Sequence, residues 1–197
     1  MLSVVKSGGT FGINGYIVDV EVNITQGLPQ FITVGLPDTA VKESRERVKS
    51  AIENIGIKFP VKKITVNLAP ADILKVGTLY DLPIAVGILS SSGILDQSKL
   101  EKTAFIGELA LNGDLRPVKG ILPIAIKLKS EGFENFILPQ ENAKEAAIVE
   151  GLNVYGFKNL KEILDFLNGD LEKQPEQVDF EKVLECNLEK FGDFAEV

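Results

Sequence analysis

The 197-residue sequence predicts a mixed α/β domain, with a mixed sheet and helices packed on it. Three patterns favour this fold class. Residues 16–24 alternate between apolar and polar side chains, which is typical of a strand with one wet face. Residues 41–55 place apolar side chains at helical spacing. From residue 120 onward short apolar strands alternate with helices, as in sheets whose parallel strands are joined by helical crossovers.

The first half of the chain is expected to begin as a β-meander. Residues 16–24 form one strand, and residues 31–34 form its antiparallel partner after a break at Gly27-Leu28-Pro29. Asp38 is placed to cap a helix that continues to Gly56. The next elements are a strand over 63–68, a mostly apolar helix over 82–90 and a strand over 103–109.

The second half predicts a hairpin followed by alternating helices and strands. Asn112-Gly113 is a residue pair typical of a two-residue hairpin loop. The elements predicted after it are a strand over 115–118, a helix to about 130, a strand over 136–138, a helix over 141–150, a strand over 153–155 and a helix over 160–167.

These elements predict one domain over residues 1–169, an acidic linker over 170–179 and an amphipathic helix within 180–197. In the last segment apolar residues recur at helical spacing with little chain left to cover them. Their apolar face is expected either to fold back on the main domain or to meet a further domain. The residues concerned are Phe180, Val183, Leu184, Leu188 and Phe191.

Composition excludes some kinds of chemistry. The chain has no histidine, which removes the commonest general base and the commonest protein ligand for metals. One cysteine, Cys186, excludes an internal disulfide framework. The start has no signal-peptide core, and no stretch approaches the about 20 apolar residues needed to cross a bilayer. We therefore expect a cytoplasmic protein without membrane contact.

The net charge of −7 is unevenly distributed along the chain. Residues 170–197 hold nine acids and three bases, so the main body is nearly neutral. Nucleic-acid binding needs only a local surplus of Lys and Arg, and the overall acidity does not exclude it. Four phenylalanines in strand-like apolar contexts are expected to belong to the core and not to stack on bases: Phe11, Phe31, Phe105 and Phe136.

The helix after Asp38 carries the best candidates for binding. Lys42, Arg45 and Lys49 cluster on one flank of its apolar stripe, with Arg47 on the outer side. This flank could meet phosphates, could contact another subunit or domain, or could be a solvated face, since three glutamates are interleaved with the bases. Arg116, next to the predicted hairpin, leaves the same alternatives open.

Acidic residues offer a second kind of candidate site. Asp72, Asp81, Glu108 and Asp114 could bind a metal or act as a hydrolase pair, but a structural role is favoured for all four. Asp72 and Asp81 are expected to cap or pin the loop between them. Neither G-x-x-x-x-G-K-[ST] nor G-x-G-x-x-G occurs, so we expect no nucleotide and no other cofactor on this chain.

Five segments carry a family resemblance: "GLPDTAVKESRERVKSAI", "KKITVNLAPAD", "DLPIAVGIL", "FIGELALNGDLRPVKGILPIA" and "LPQENAKEAAIVEGLNVYG". Over residues 1–169 the sequence resembles the N-terminal domain of the magnesium-chelatase-like AAA+ ATPases of the ComM/YifB family. The resemblance implies a fold related to the Lon protease domain, of the type also seen in a ribosomal small-subunit protein.

The resemblance to Lon also permits a comparison of its serine–lysine dyad with this chain. In the "KVGTLYDLP" loop Gly77 matches, but Leu79 stands at the serine position, and Leu122 stands at the lysine position. Both functional groups of the dyad are therefore missing. A shifted dyad of Thr78 and Lys119 is the alternative, and the favoured interpretation is that Thr78 caps or turns the loop before Asp81.

For the intact protein the resemblance implies an oligomeric ATPase, a hexameric ring that moves DNA in recombination, with branch migration in natural transformation as its role. ATP and magnesium would bind an AAA+ module that begins near the end of this chain. The present segment would be a non-catalytic accessory domain, with DNA and its own AAA+ module as partners. The alternative is a free-standing protein-interaction or self-association domain.

Overall fold

The computed structural model describes residues 1–178. Nine strands and six α-helices follow one another along this part of the chain. The strands are β1 (Leu2–Phe11), β2 (Asn14–Thr25), β3 (Gln30–Val34), β4 (Lys63–Ala69), β5 (Thr103–Phe105), β6 (Glu108–Leu109), β7 (Leu115–Arg116), β8 (Asn135–Pro139) and β9 (Asn153–Phe157). The helices are α1 (Thr39–Lys42), α2 (Ser44–Asn54), α3 (Asp81–Ser91), α4 (Ile121–Ser130), α5 (Ala143–Ala146) and α6 (Leu160–Asn168).

Seven of these strands form one mixed sheet in the order β3-β4-β2-β1-β5-β8-β9, and β6 and β7 form a separate hairpin. The strands β1, β5, β8 and β9 are mutually parallel, whereas β2 is antiparallel to both of its neighbours. The predicted mixed α/β fold is confirmed. So are the hairpin at Asn112-Gly113 and the parallel pairing of the second half.

The predicted β-meander is wrong in two respects. Sequence analysis missed β1, whose ten residues pair with β2 in an antiparallel hairpin. In addition β3 does not pair with β2, because β4 lies between them and β3 runs parallel to β4. Parallel neighbours need a crossover, and residues 35–62 supply it with α1 and α2.

Helices cover both faces of the sheet. On one face α2, α3 and α6 contribute Ile52, Ile84 and Ile163 to a large apolar core, and every residue of α3 is buried. On the other face α4 and α5 contribute Ile124 and Ala143 to a second core. Burial of this apolar surface at about 25 cal/mol per Å² is the main source of stability for such a domain.

Several predicted elements are divided or shorter than expected. Asp38 caps its helix as predicted, since its carboxylate accepts the Val41 N–H, but the helix divides at Glu43 into α1 and α2. The strand predicted over 103–109 breaks at Gly107, whose N–H donates to the Leu79 carbonyl instead of a strand partner. The helix predicted over 141–150 is only the short α5, which follows a 3₁₀ turn.

The chain after α6 returns along the outer edge of β9. Gly169 ends the helix in a left-handed conformation. The Glu176 N–H then donates to the Val154 carbonyl over 2.7 Å, and the Lys173 ammonium lies 4.9 Å from the centre of the Phe157 ring. The start of the predicted linker is thus packed on the sheet edge, whereas the helix predicted within 180–197 lies outside the described residues. Within residues 1–178 no helix has the length and apolar character required to cross a membrane.

The half-buried Leu171 packs against the larger core and offers a test of this edge contact. We expect Leu171→Ala to lower the free energy of unfolding by about 1–1.5 kcal/mol, since part of a leucine side chain loses its burial. Glu172→Ala is the control at the adjacent exposed position. Urea denaturation of the two variants measures the difference, and equal midpoints would show that the segment does not contribute to stability.

Candidate functional site

A cleft of about 610 Å³ lies beside the loop that joins β4 to α3. The loop contributes Leu74 and residues 76–80, and the facing walls come from the end of β1, the start of β2 and residues 117–120. Ligand sites in proteins commonly fall in this range of volume. The cleft brings together the loop residues Gly77, Thr78 and Leu79 with Lys119, which follows Leu79 by 40 positions in the sequence.

The loop is fastened to the chain segment that follows β3. The Asp38 N–H donates to the Lys75 carbonyl and the Lys75 N–H donates to the Leu36 carbonyl, each over 2.9 Å. The Asp38 carboxylate also accepts the Gly77 N–H over 3.0 Å. Gly77 has a φ of +90°, a conformation that favours glycine. One aspartate therefore caps α1 and fixes the turn that opens the cleft.

Thr78 is held by a carboxylate inside the cleft. Its hydroxyl hydrogen-bonds to Glu108, and the Arg116 guanidinium lies 3.5 Å from the other oxygen of that carboxylate. Arg116, predicted as a candidate for binding DNA or a partner, thus lies beside the cleft. Lys119 is exposed, and within residues 1–178 no hydrogen bond joins it to Thr78. The shifted dyad therefore lacks the contact by which a base activates a hydroxyl nucleophile.

The two leucines compared with the Lon dyad lie in different places. Leu79 is half-buried and lines the cleft. Leu122 is not among the residues that line it, and its backbone N–H, in the first turn of α4, donates to the Glu145 carboxylate over 3.2 Å. Neither side chain carries a group that could attack a carbonyl or accept a proton.

A buried ion pair anchors the start of α3 behind the cleft. The Arg47 guanidinium donates to both oxygens of Asp81, over 2.6 and 3.0 Å, and also to the Ala40 carbonyl. The Leu109 N–H donates to the same carboxylate. Asp81 is 1% exposed and Arg47 is 19% exposed. Arg47 was predicted on the outer side of its helix, but it faces α3 because the buried carboxylate attracts it.

Burial raises the pKa of Asp81 to about 6, whereas the hydrogen bond from Arg47 and the N–H of Leu109 act in the opposite direction. The contact with Asp81 in turn raises the pKa of Arg47. At neutral pH the carboxylate is therefore ionised and paired. Asp81 thus fixes the start of α3 from the core through Arg47 and Leu109, whereas Asp72, also expected to cap or pin the loop, is exposed.

Lys75 is a buried cation that sequence analysis missed. The side chain is fully buried, and its ammonium donates to the Ile73 carbonyl over 2.7 Å. Burial lowers its pKa, and the nearby Asp72 partly offsets this effect. No signal in the sequence separates this lysine from its exposed neighbours, because its burial depends on the bridge between residues 37 and 75.

A basic edge lies at the β3 side of the sheet, away from the cleft. Arg45 and Lys49 on α2 face Lys62 from the loop before β4, around a shallow pocket of about 140 Å³. Phe31 and Phe59 line the same pocket and are half-buried, so Phe31 is not wholly a core residue as predicted. Lys42, which was predicted to cluster with Arg45 and Lys49, is exposed on α1 and does not line this pocket. We call Arg45, Lys49 and Lys62 the basic edge.

The four acidic candidates do not converge. Asp81 binds Arg47, Glu108 binds Thr78, and Asp114 accepts from the Asn112 side chain over 2.7 Å, while Asp72 is exposed. In the part of the chain that is described, no three Asp, Glu, Cys or His side chains are grouped as a metal site would require.

The buried ion pair can be tested by mutation. We expect Arg47→Ala to reduce the free energy of unfolding by about 3 kcal/mol at neutral pH, because the buried Asp81 carboxylate is then left without its cationic partner. The matched control is Asp19→Asn, which breaks the half-exposed pair with Lys6 and should cost less than about 1 kcal/mol. Urea denaturation at neutral pH measures both values, and similar losses in the two variants would contradict the assignment.

Comparisons with known proteins agree with this architecture. The family model described as subunit ChlI of Mg-chelatase matches residues 20–142. The chain is 45% identical over 174 residues to the competence protein ComM of Haemophilus influenzae. The aligned residues make up 88% of this chain and 34% of ComM. It is 45% identical over 168 residues to YifB of Salmonella typhimurium, covering 85% of this chain and 33% of YifB.

A more distant relative connects the chain with proteases. Lon protease 2 of Bacillus subtilis is 25% identical over 203 residues, covering 92% of this chain and 36% of the protease. The chain thus spans about a third of the length of each of these relatives. It belongs to the magnesium-chelatase-like ChlI family, together with its relatives ComM and YifB.

Proposed function

We propose that this chain is a non-catalytic accessory N-terminal domain of a cytoplasmic, ATP-driven DNA motor that acts in recombination or natural transformation. The observation that carries the proposal is the 45% identity, along 88% of this chain, to a relative named a competence protein. Since the chain spans only 34% of that relative, the motor would reside in the remaining part. ATP and magnesium would bind there, in an AAA+ module that assembles as a hexameric ring.

The absence of catalysis is proposed from the chemistry of the cleft. Leu79 presents an aliphatic side chain where a nucleophile would be needed, and the Thr78 hydroxyl is occupied by Glu108. Peptide hydrolysis by a hydroxyl requires a base in hydrogen-bond contact with the nucleophile and donors for the developing oxyanion. The Glu108 carboxylate that holds Thr78 also pairs with the Arg116 guanidinium, which supports a structural role for the contact with Thr78.

Contact with DNA is proposed for the basic edge. Three cationic side chains and one acid, Glu53, line a pocket to which two half-buried phenylalanines also contribute, so the bases remain in excess although Arg45 also pairs with the exposed Glu46. Cations beside aromatic rings are typical of surfaces that bind single strands, where phosphates meet the charges and a base stacks on a ring. Of the residues predicted at the sequence level, Arg45 and Lys49 support this role, whereas Arg47 is committed to Asp81.

The DNA role predicts a specific loss of affinity. We expect Arg45→Glu combined with Lys49→Glu and Lys62→Glu to weaken binding of a fluorescein-labelled oligothymidylate at least about tenfold at low salt. The slope of log affinity against log salt should fall by about 2, because three phosphate contacts on a single strand are lost. Fluorescence anisotropy over a range of salt concentrations measures both quantities.

A variant with the same charge change serves as control. Lys144, Lys158 and Lys161 are exposed near the β9 side of the sheet, and their replacement by Glu alters the net charge equally. Affinity of this control should stay near the wild-type value apart from a small long-range effect. Equal losses in the two triple variants, or no saturable binding by the wild type, would contradict direct DNA contact by the basic edge.

The non-catalytic assignment has its own test. Incubation of the chain with fluorescein-labelled casein should release no fluorescence above a buffer blank, and Thr78→Ala should behave in the same way. Cleavage by the wild type that disappears in Thr78→Ala would assign a hydrolase to the cleft and reject the proposal.

A further inference from the structure

The far end of β1 has an unpaired edge beside the cleft. Met1 and Ile24 exchange two backbone hydrogen bonds. Since hydrogen-bonded and non-hydrogen-bonded pairs alternate along an antiparallel ladder, the N–H and C=O groups of the odd-numbered residues of β1 point toward β2. The N–H and C=O of Thr10 therefore point to the opposite side, where β5 lies. That strand ends at Phe105 and is in register with β1 at Lys6 only. Within residues 1–178 we find no backbone or side-chain partner for these groups of Thr10.

Hydrogen bonds hold the walls that face this edge. The Asn142 side chain binds both backbone groups of Val118, with its oxygen accepting over 2.9 Å and its nitrogen donating over 3.0 Å. On the loop side Thr78 is fixed by Glu108, and the Gly77 N–H by Asp38. The slot between Thr10 and the loop is therefore preformed, which lowers the cost of ordering on binding.

Exposed apolar side chains border the slot. Phe11, predicted in the core, is 76% exposed, and Leu74 and Val76 are each 56% exposed. A second cavity of about 520 Å³ shares Thr10, Leu74 and Val76 with the cleft, so the two form one groove. Large exposed apolar side chains gathered at one place are typical of interaction sites.

We propose that this groove binds an extended polypeptide segment of a partner protein, which adds as a strand to the free edge of β1 at Thr10. Main-chain hydrogen bonds to a sheet edge give affinity in this mode of recognition, and pockets for alternate side chains give specificity. Apolar side chains of the segment would contact Phe11, Leu74 and Val76.

Charge decides between a polypeptide and a nucleic acid as the occupant. The charged residues lining the two cavities are Asp72, Glu108 and Lys119. A groove with two acids and one base does not attract a polyanion, whereas a neutral backbone with apolar side chains meets no penalty there. The proposed peptide site is thus separate from the basic edge. Its test does not depend on whether the basic edge binds DNA.

The test uses a substitution that removes one N–H and leaves the β1–β2 ladder intact. Thr10→Pro deletes the backbone N–H that faces the slot. Thr10→Val keeps this N–H and has a side chain of nearly the same shape as threonine. The probe is a pool of fluorescein-labelled peptides in which Val, Leu or Phe alternates with Thr or Ser. We expect saturable binding by the wild type and Thr10→Val, and affinity lower by at least about tenfold in Thr10→Pro.

A second measurement keeps the test informative if Thr10→Pro does not fold. Hydrogen exchange of the wild type should show the Thr10 amide slowed when the peptide pool is added. Absence of saturable binding, equal affinity of the two folded variants or an unchanged Thr10 amide would each overturn the proposal. Sedimentation velocity that finds a dimer dissociated by Thr10→Pro would assign the edge to a second copy and also overturn it.

Discussion

The buried carboxylate of Asp81 is the constraint on which the cleft depends. It lies at the first residue of α3, is 1% exposed, and joins three elements at once: α2 through Arg47, the hairpin through the Leu109 N–H, and its own helix. A carboxylate in such a place is costly unless its lone pairs are satisfied, and here two guanidinium donors and one amide satisfy them. The position of the loop that precedes α3 follows from this anchor.

The cleft is shaped by the hydrogen bonds of the loop that precedes α3. Asp38 and Gly77 set the turn, Tyr80 is buried behind it, and Glu108 accepts the hydrogen bond of the Thr78 hydroxyl in the cleft. Hydrogen bonds hold both walls of the cleft, which favours the proposed recognition of a segment in an extended conformation. In this account one domain serves two separate interactions, with DNA at the basic edge and with a polypeptide at the free end of β1.

Local signals in the sequence predicted local structure well. The cap at Asp38, the hairpin loop at Asn112-Gly113 and the alternation of β2 each depend on a few neighbouring residues, and the structure confirms them. The family resemblance correctly indicated the mixed α/β fold class. What failed depends on distant pairing: β4 inserts between β2 and β3, and this arrangement has no signature within either strand.

The same distinction separates the site residues that were predicted from those that were missed. Helical spacing grouped Lys42, Arg45 and Lys49, but only Arg45 and Lys49 line the pocket, because the helix divides at Glu43 and Lys42 lies on α1. Spacing could not show that Lys62 joins the pocket, because the crossover from β3 to β4 brings its loop beside α2. Spacing also assigned Arg47 to the outer side of the helix, because the helix sequence alone does not show that the distant Asp81 packs against it. Burial of Lys75 depends likewise on a bridge to residue 37.

The most direct test of the proposed function is to locate bound DNA on the surface. An oligonucleotide that carries photoreactive thymine analogues can be crosslinked to the chain and the modified residues identified by mass spectrometry. Crosslinks are expected at Phe31, Phe59 and Lys62 around the basic edge. Crosslinks concentrated at the cleft, or spread over the surface without preference, would contradict DNA contact by the basic edge.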